Sequence, residues 1–225
     1  MKKKMTLAQR VNVLRASVMG ANDGILSVAG IVVGVAGATT NSFSILISGL
    51  AGMLAGTISM AMGEYVSVNT QKDSQKMAIA HQKQALAENY EGESDWVAQK
   101  YVDQGISEPL ARKATREMMN EDALVTTVRE HYGFNPSEFI SPYAAGIASM
   151  ISFPTGSILP LVSITFFPPQ IKVVATVISV AIALAITGYV AAILGNANRR
   201  HGIFRNVVSG LLTMLVTYFI GHLFA

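Results

Sequence analysis

The sequence predicts an all-α membrane protein: five transmembrane helices, with a three-helix cytoplasmic insert between spans 2 and 3. Three observations carry that class. Only 14% of the 225 residues are charged, against about 25% in ordinary soluble domains. The charges are segregated, because residues 139–171, 173–198 and 206–225 hold none, in runs of 33, 26 and 20 residues. Residues 16–71 hold only Asp23 and Glu64. A bilayer core needs about 20 apolar residues per helix. The 51% hydrophobic content excludes disorder. The absence of Cys excludes a disulfide scaffold and thiolate chemistry.

The elements follow in order. Residues 1–68 form the N-terminal tail and the first two spans, about 17–38 and 45–68, separated by a polar break at 39–44. Residues 69–138 form the insert. Residues 139–225 hold spans at about 143–167, 171–194 and 206–224. The third contains Pro154 and Pro160. Each removes a backbone donor and crowds the preceding turn, so a kinked or interrupted helix is expected.

Basic residues set the expected orientation. Lys2, Lys3, Lys4, Arg10 and Arg15 place the N-terminus in the cytoplasm. With the insert and the 196–205 loop also inside, 16 basic residues lie on the cytoplasmic side and one, Lys172, on the other. The basic excess behind the pI near 9.2 is thereby assigned to topology rather than to nucleic acid. The start of the chain imitates a signal peptide, but some twenty residues separate its basic and apolar parts, and Asp23 abuts the apolar run. Short loops without an obvious targeting tail suit a bacterial cytoplasmic membrane.

The insert holds 20 of the 31 charges, 12 acidic and 8 basic, for a net of −4. Its pattern is helical throughout. The second span is expected to run on through 71–88. A second helix covers about 94–104 and stops at Gly105. A third starts at Ser107 as N-cap, with Glu108 and Pro109 in its first turn, and ends before Gly133.

Asp23 and Glu64 are the residues that carry chemistry. A charged group at the centre of a span costs roughly 2.5–3.5 kcal/mol on insertion scales. An intramembrane carboxylate is therefore read first as part of an ion or proton pathway, and second as a group satisfied by neighbouring polar atoms. Met53, Met60 and Glu64 stand at i, i+7 and i+11 on one face of span 2, with Gly49, Gly52 and Gly56. Met19, Asp23 and Ser27 recur every four residues on span 1. Two carboxylates beside thioethers suit a dehydrated divalent cation such as Mn²⁺ or Fe²⁺. Without Cys or a nearby His, a tetrahedral zinc site is disfavoured.

These stretches resemble a known family. Met19-Gly20-Ala21-Asn22-Asp23-Gly24-Ile25, followed by Gly34-Val35-Ala36-Gly37-Ala38, is similar to the first-helix signature of the vacuolar iron transporter family. Ile58-Ser59-Met60-Ala61-Met62-Gly63-Glu64-Tyr65-Val66-Ser67 is similar to its second-helix signature. The resemblance implies exchange of Fe²⁺, often also Mn²⁺, for protons by a homodimer whose pathway lies between subunits. It places the family's first-helix Asp on Asp23 and its second-helix Met on Met60.

The insert departs from that pattern. In iron-handling members it carries glutamates, partly in Glu-x-x-Glu spacing, that hold metal. Here His81-Gln82-Lys83-Gln84-Ala85 stands at one such stretch, and Trp96 where another glutamate is expected. Glu93 and Glu130 match two of the family positions. Glu117, Glu121 and Asp122, beside Met118 and Met119, are further candidate ligands, against the alternative of a solvated acidic face with Met118 packed inward. A net charge of −4 concentrates cations near the entrance in either case.

No phosphate loop, nucleophile elbow or nucleic-acid motif is found, so an enzyme is not expected and no cofactor is implied beyond the transported ion. The expected partners are the bilayer, a second copy of the chain, the metal and protons. The residues leave two rivals open. One is a dimeric membrane anchor whose insert senses metal or binds a partner. The other is a carrier of a different cation or small solute.

Overall fold

The computed structural model describes residues 6–225, apart from the side chain of Ala8. The Lys2–Lys4 cluster lies outside the described residues. Those residues form seven helices: α1 (Leu7–Ala38), α2 (Ser42–Glu88), α3 (Tyr90–Asp103), α4 (Glu108–Tyr132), α5 (Pro142–Phe166), α6 (Lys172–Leu194) and α7 (Arg199–His222). There is no strand among them. Five (α1, α2, α5, α6 and α7) are long and apolar enough to cross a membrane. The chain divides into two compact units: residues up to Gln9 with Ser67–Ile140, and Arg10–Val66 with Ser141–Ala225.

The second unit holds the apolar core. Ile25, Val28, Ala29, Val32 and Val33 form the buried stripe of α1 at helical spacing. Ile45 of α2, Phe153, Leu161 and Ile164 of α5, Val180 and Leu184 of α6 and Met214 of α7 close around it. In a bilayer, lipid is as apolar as leucine, so helices associate by close packing at small residues. Gly24 lies against the Phe153 carbonyl, and Gly156 against the Ala21 carbonyl. A Cβ at either glycine would overlap backbone, so α1 and α5 cross backbone to backbone. Gly188 and Gly202 do the same for α6 and α7.

The two prolines do not interrupt α5, which runs unbroken from Pro142 to Phe166. Buried Pro160 packs inward, and the Ser157 hydroxyl lies 2.9 Å from the Phe153 carbonyl and 3.2 Å from that of Gly24. Pro160 frees the carbonyl of Gly156, a buried residue packed against Ala21 of α1, so at this turn α5 sits against protein.

The first unit contains the end of α2, then α3 and α4. α3 starts at Tyr90, earlier than expected, because the Asn89 side chain accepts from the Gly92 N–H and caps it. α4 ends where Gly133 takes up φ 73°, a left-handed cap suited to glycine. One feature differs from a simple third helix. Asp122 has φ −159° and ψ 100°, so α4 is two helical segments joined at a break. Asp122 Oδ1 accepts from the Val125 N–H at 2.9 Å and caps the second segment.

Candidate metal pathway

Glu64 is buried, with 8% of its side chain exposed, and its carboxylate accepts a charge-assisted hydrogen bond from Arg15 Nη2 at 2.8 Å. Arg15 also donates to Asn12 Oδ1 at 3.3 Å and lies 3.2 Å from the Met19 sulfur. A buried carboxylate requires such a partner, since its desolvation is otherwise uncompensated. Arg15, read from sequence as a topology signal alone, is therefore the counter-ion of the second-span acid.

Asp23 is half-buried on α1 and accepts from the Ser27 hydroxyl at 2.6 Å, the i+4 partner that the spacing placed beside it. Its neighbour Asn22 is tied to the other spans: Asn22 Oδ1 accepts from Asn206 Nδ2 at 2.9 Å and from the Thr187 hydroxyl at 3.3 Å. This fixes the turn that carries Asp23 to α6 and α7. Met53 and Met60 are half-buried and pack against the apolar core. Ala61, a buried residue of the same α2 turn, presents its carbonyl to Gly146 of α5. Among the described residues, no three His, Asp or Glu side chains converge into a metal-holding group.

In the insert, two of the candidate glutamates are engaged. Glu93 Oε2 takes a hydrogen bond from Gln82 Nε2 at 2.6 Å and lies 2.9 Å from His131 Nε2. The His131 ring stacks on Trp96 with centroids 3.6 Å apart. Glu130 takes bonds from Lys100 at 3.0 Å, Tyr101 at 2.9 Å and Arg129 at 3.1 Å. Burial alone would push the Glu130 carboxyl up, but the bonds from Lys100, Tyr101 and Arg129 together hold it below the ordinary carboxylate range. Burial and then the adjacent Glu130 push the Tyr101 phenol up. Lys100 and Arg129 thus supply the positive charge that a metal would supply to Glu130.

The other insert candidates divide. Glu117 and Glu121 are exposed on α4. Asp122 is spent on its cap. Met119, rather than Met118, is the methionine packed inward. Met118 is half-buried, with its sulfur 3.4 Å from Arg129 Nη2.

A model of the VIT family matches residues 14–222 of this sequence. The chain belongs to the VIT family. It is 36% identical over 211 residues to a protein of Acanthamoeba castellanii named vacuolar iron transporter, covering 93% of this chain and 78% of the relative. It is 36% identical over 216 residues to vacuolar iron transporter homolog 1 of Oryza sativa subsp. japonica, covering 96% and 75%. It is 28% identical over 218 residues to vacuolar iron transporter homolog 2.1 of Arabidopsis thaliana, covering 96% and 84%. These relatives are named as transporters, a non-enzymatic activity.

Within this VIT chain, sequence reasoning found the two intramembrane acids and the Ser27 partner of Asp23, and missed the groups that hold Glu64 and anchor Asn22. Asn12 and Arg15 precede the apolar run and carry no motif. One signal was available: Arg15 stands two turns before Asp23 on the same helix, within reach of a span boundary. The anchoring of Asn22 by Asn206 and Thr187 joins residues more than 160 positions apart, which no local pattern reports.

Proposed function

We propose that this VIT family chain carries Fe²⁺ or Mn²⁺ out of the cytoplasm in exchange for protons, with Asp23, Glu64 and Met60 as the groups that take the dehydrated ion. The observation that carries the reading is Glu64, a carboxylate buried on a membrane-spanning helix and neutralised by a single movable cation. Arg15 is half-exposed, with 46% of its side chain accessible, and has Asn12 and Met19 as alternative partners. An arriving dication replaces its guanidinium at Glu64 and takes its second negative charge from Asp23, which in the empty site is held by the neutral Ser27 hydroxyl. Carboxylate oxygens with a thioether favour Fe²⁺ and Mn²⁺ over harder ions. Protonation of the carboxylates removes their ligand character and releases the metal, which couples the two fluxes.

Two copies of the chain complete the site. The support is that no full coordinating group forms among the described residues of one chain. α2 also leaves Leu54, Ile58, Met62 and Val66 exposed along its membrane-crossing part. In the insert, the engagement of Glu93 and Glu130 supports a role for its exposed acids as a cation-concentrating surface rather than a metal store. The N-terminus faces the cytoplasm in this reading.

Proteoliposome uptake with a metal panel tests the proposal. Fe²⁺ and Mn²⁺ should enter, compete with one another, and drive proton movement in the opposite direction. Uptake of neither metal, or uptake with no proton movement, would reject it.

A further inference from the structure

Where α1 ends and α6 begins, an apolar groove of about 700 Å³ lies between α1, α6 and α7. Val33, Val177 and Met214 line its apolar length, and Thr40, Gln170 and Lys172 its polar end. Lys172 is 5% exposed. Its ammonium has three donors, and the acceptor it meets is the Thr40 carbonyl at 3.3 Å. Among the described residues no carboxylate pairs with it. Helping to close the end of α1 occupies one donor and leaves the charge without a counter-ion. A buried ammonium in a membrane protein is costly without one.

The same place attracts anions for a second reason. Lys172 is the first residue of the 23-residue helix α6, whose start has no side-chain cap, the Lys172 N–H itself donating to the Pro168 carbonyl at 2.9 Å. Uncapped helix starts present backbone N–H groups and the positive end of the helix dipole. A free inorganic anion would pair with Lys172 and leave the apolar groove unfilled. A zwitterionic phospholipid would fill the groove, but its own headgroup cation competes with Lys172 for the phosphate. An anionic phospholipid does both.

We propose that this groove binds one anionic phospholipid, its phosphate at Lys172 and the start of α6, and one acyl chain along α1, α6 and α7. The site is separate from Asp23 and Glu64, and the inference stands whether or not the chain transports metal.

The test uses the full chain in nanodiscs of phosphatidylcholine, with or without a small fraction of phosphatidylglycerol, and counts retained lipid by native mass spectrometry. Wild type should retain phosphatidylglycerol selectively and melt at a higher temperature with it. Lys172→Met should lower that retention by about fivefold or more, the scale of one basic residue at a lipid surface, and Lys172→Arg should restore it. Arg200→Gln, at the start of α7, should leave retention unchanged. If Lys172→Met does not fold, Leu215→Trp, which fills the groove and spares the ammonium, decides the matter by losing the bound lipid. Equal retention by wild type and the folded variants would overturn the proposal. So would a melting shift produced by inorganic phosphate alone. A shift from dimer to monomer in Leu215→Trp, with lipid retention unaffected, would instead make the groove an interface between copies and likewise overturn it.

Discussion

Arg15 Nη2 lies 2.8 Å from Glu64 Oε2, joining the start of α1 to the second span across 49 residues of sequence. Glu64 is buried, while Arg15 has one side toward solvent and two further partners, Asn12 and Met19. The ion pair is thus buried on the Glu64 side and open to solvent on the Arg15 side.

A double-mutant cycle measures this coupling. Arg15→Ala strands the Glu64 carboxylate and should cost about 1–3 kcal/mol, the penalty of an unsatisfied buried group, moderated here by the exposure of Arg15. Glu64→Gln in the same background should recover part of that loss. Thermal unfolding in detergent gives the four values, and strictly additive losses would show that the pair carries no coupling.

Glu130 predicts an acid limb in the stability of the insert. Its folded carboxyl lies below the ordinary range because of Lys100, Tyr101 and Arg129. A depressed carboxyl pKa contributes stability that is complete above its unfolded value and lost as pH falls through the folded one. Trp96, the single tryptophan, stacks on His131 in the same insert and reports on it by fluorescence. Unfolding followed at Trp96 should be insensitive to Glu130 protonation near neutrality. Below the ordinary glutamate range the insert should weaken, and Glu130→Gln should flatten that limb. An identical acid limb in the variant would remove Glu130 as its cause.

Asp122 separates a cap from a ligand. Asp122→Ala should cost about 1 kcal/mol in the stability of the insert, while Asp122→Ser or Asp122→Asn should keep most of it. Fe²⁺ or Mn²⁺ binding, measured by equilibrium dialysis, should not change in any of the three. Loss of bound metal in Asp122→Asn with stability intact would return this residue to the ligand set.

The close approach of α1 and α5 predicts a further loss of stability on substitution. A methyl group at Gly156 would overlap the Ala21 carbonyl, which is backbone and cannot rotate away. Gly156→Ala should therefore lower stability by about 1–3 kcal/mol, as overpacking does. Gly63→Ala on α2 meets nothing within 4 Å in the single chain and should leave its packing unchanged. An unchanged melting temperature for Gly156→Ala would mean that the helices have room to separate.

Charge segregation made the five spans legible, because an uncharged run of bilayer length has few other solutions. Local chemistry made the ends of α4 legible, through Ser107 with Pro109 at its start and Gly133 at its end. The Asn89 cap was missed because Asn89 is followed by Tyr90 and by Gly92, a weak helix former. The break at Asp122 was missed because an aspartate inside a helical pattern reads as a surface residue until its side chain is seen to cap. At the candidate site, Asp23 and Ser27 were readable as an i, i+4 pair. The Arg15 contact was not, since it depends on how two helices pack. The same holds for Lys100 and Glu130, whose pairing requires α3 to lie along α4.

Metal-dependent proton flux in proteoliposomes tests the central claim most directly. The wild-type chain, with a pH-sensitive dye inside, should move protons when Fe²⁺ or Mn²⁺ is added and not otherwise. Asp23→Asn and Glu64→Gln should each reduce that flux by about tenfold or more, since even outer-shell partners of a bound metal matter on that scale. Flux at the wild-type rate in both folded variants would contradict the account.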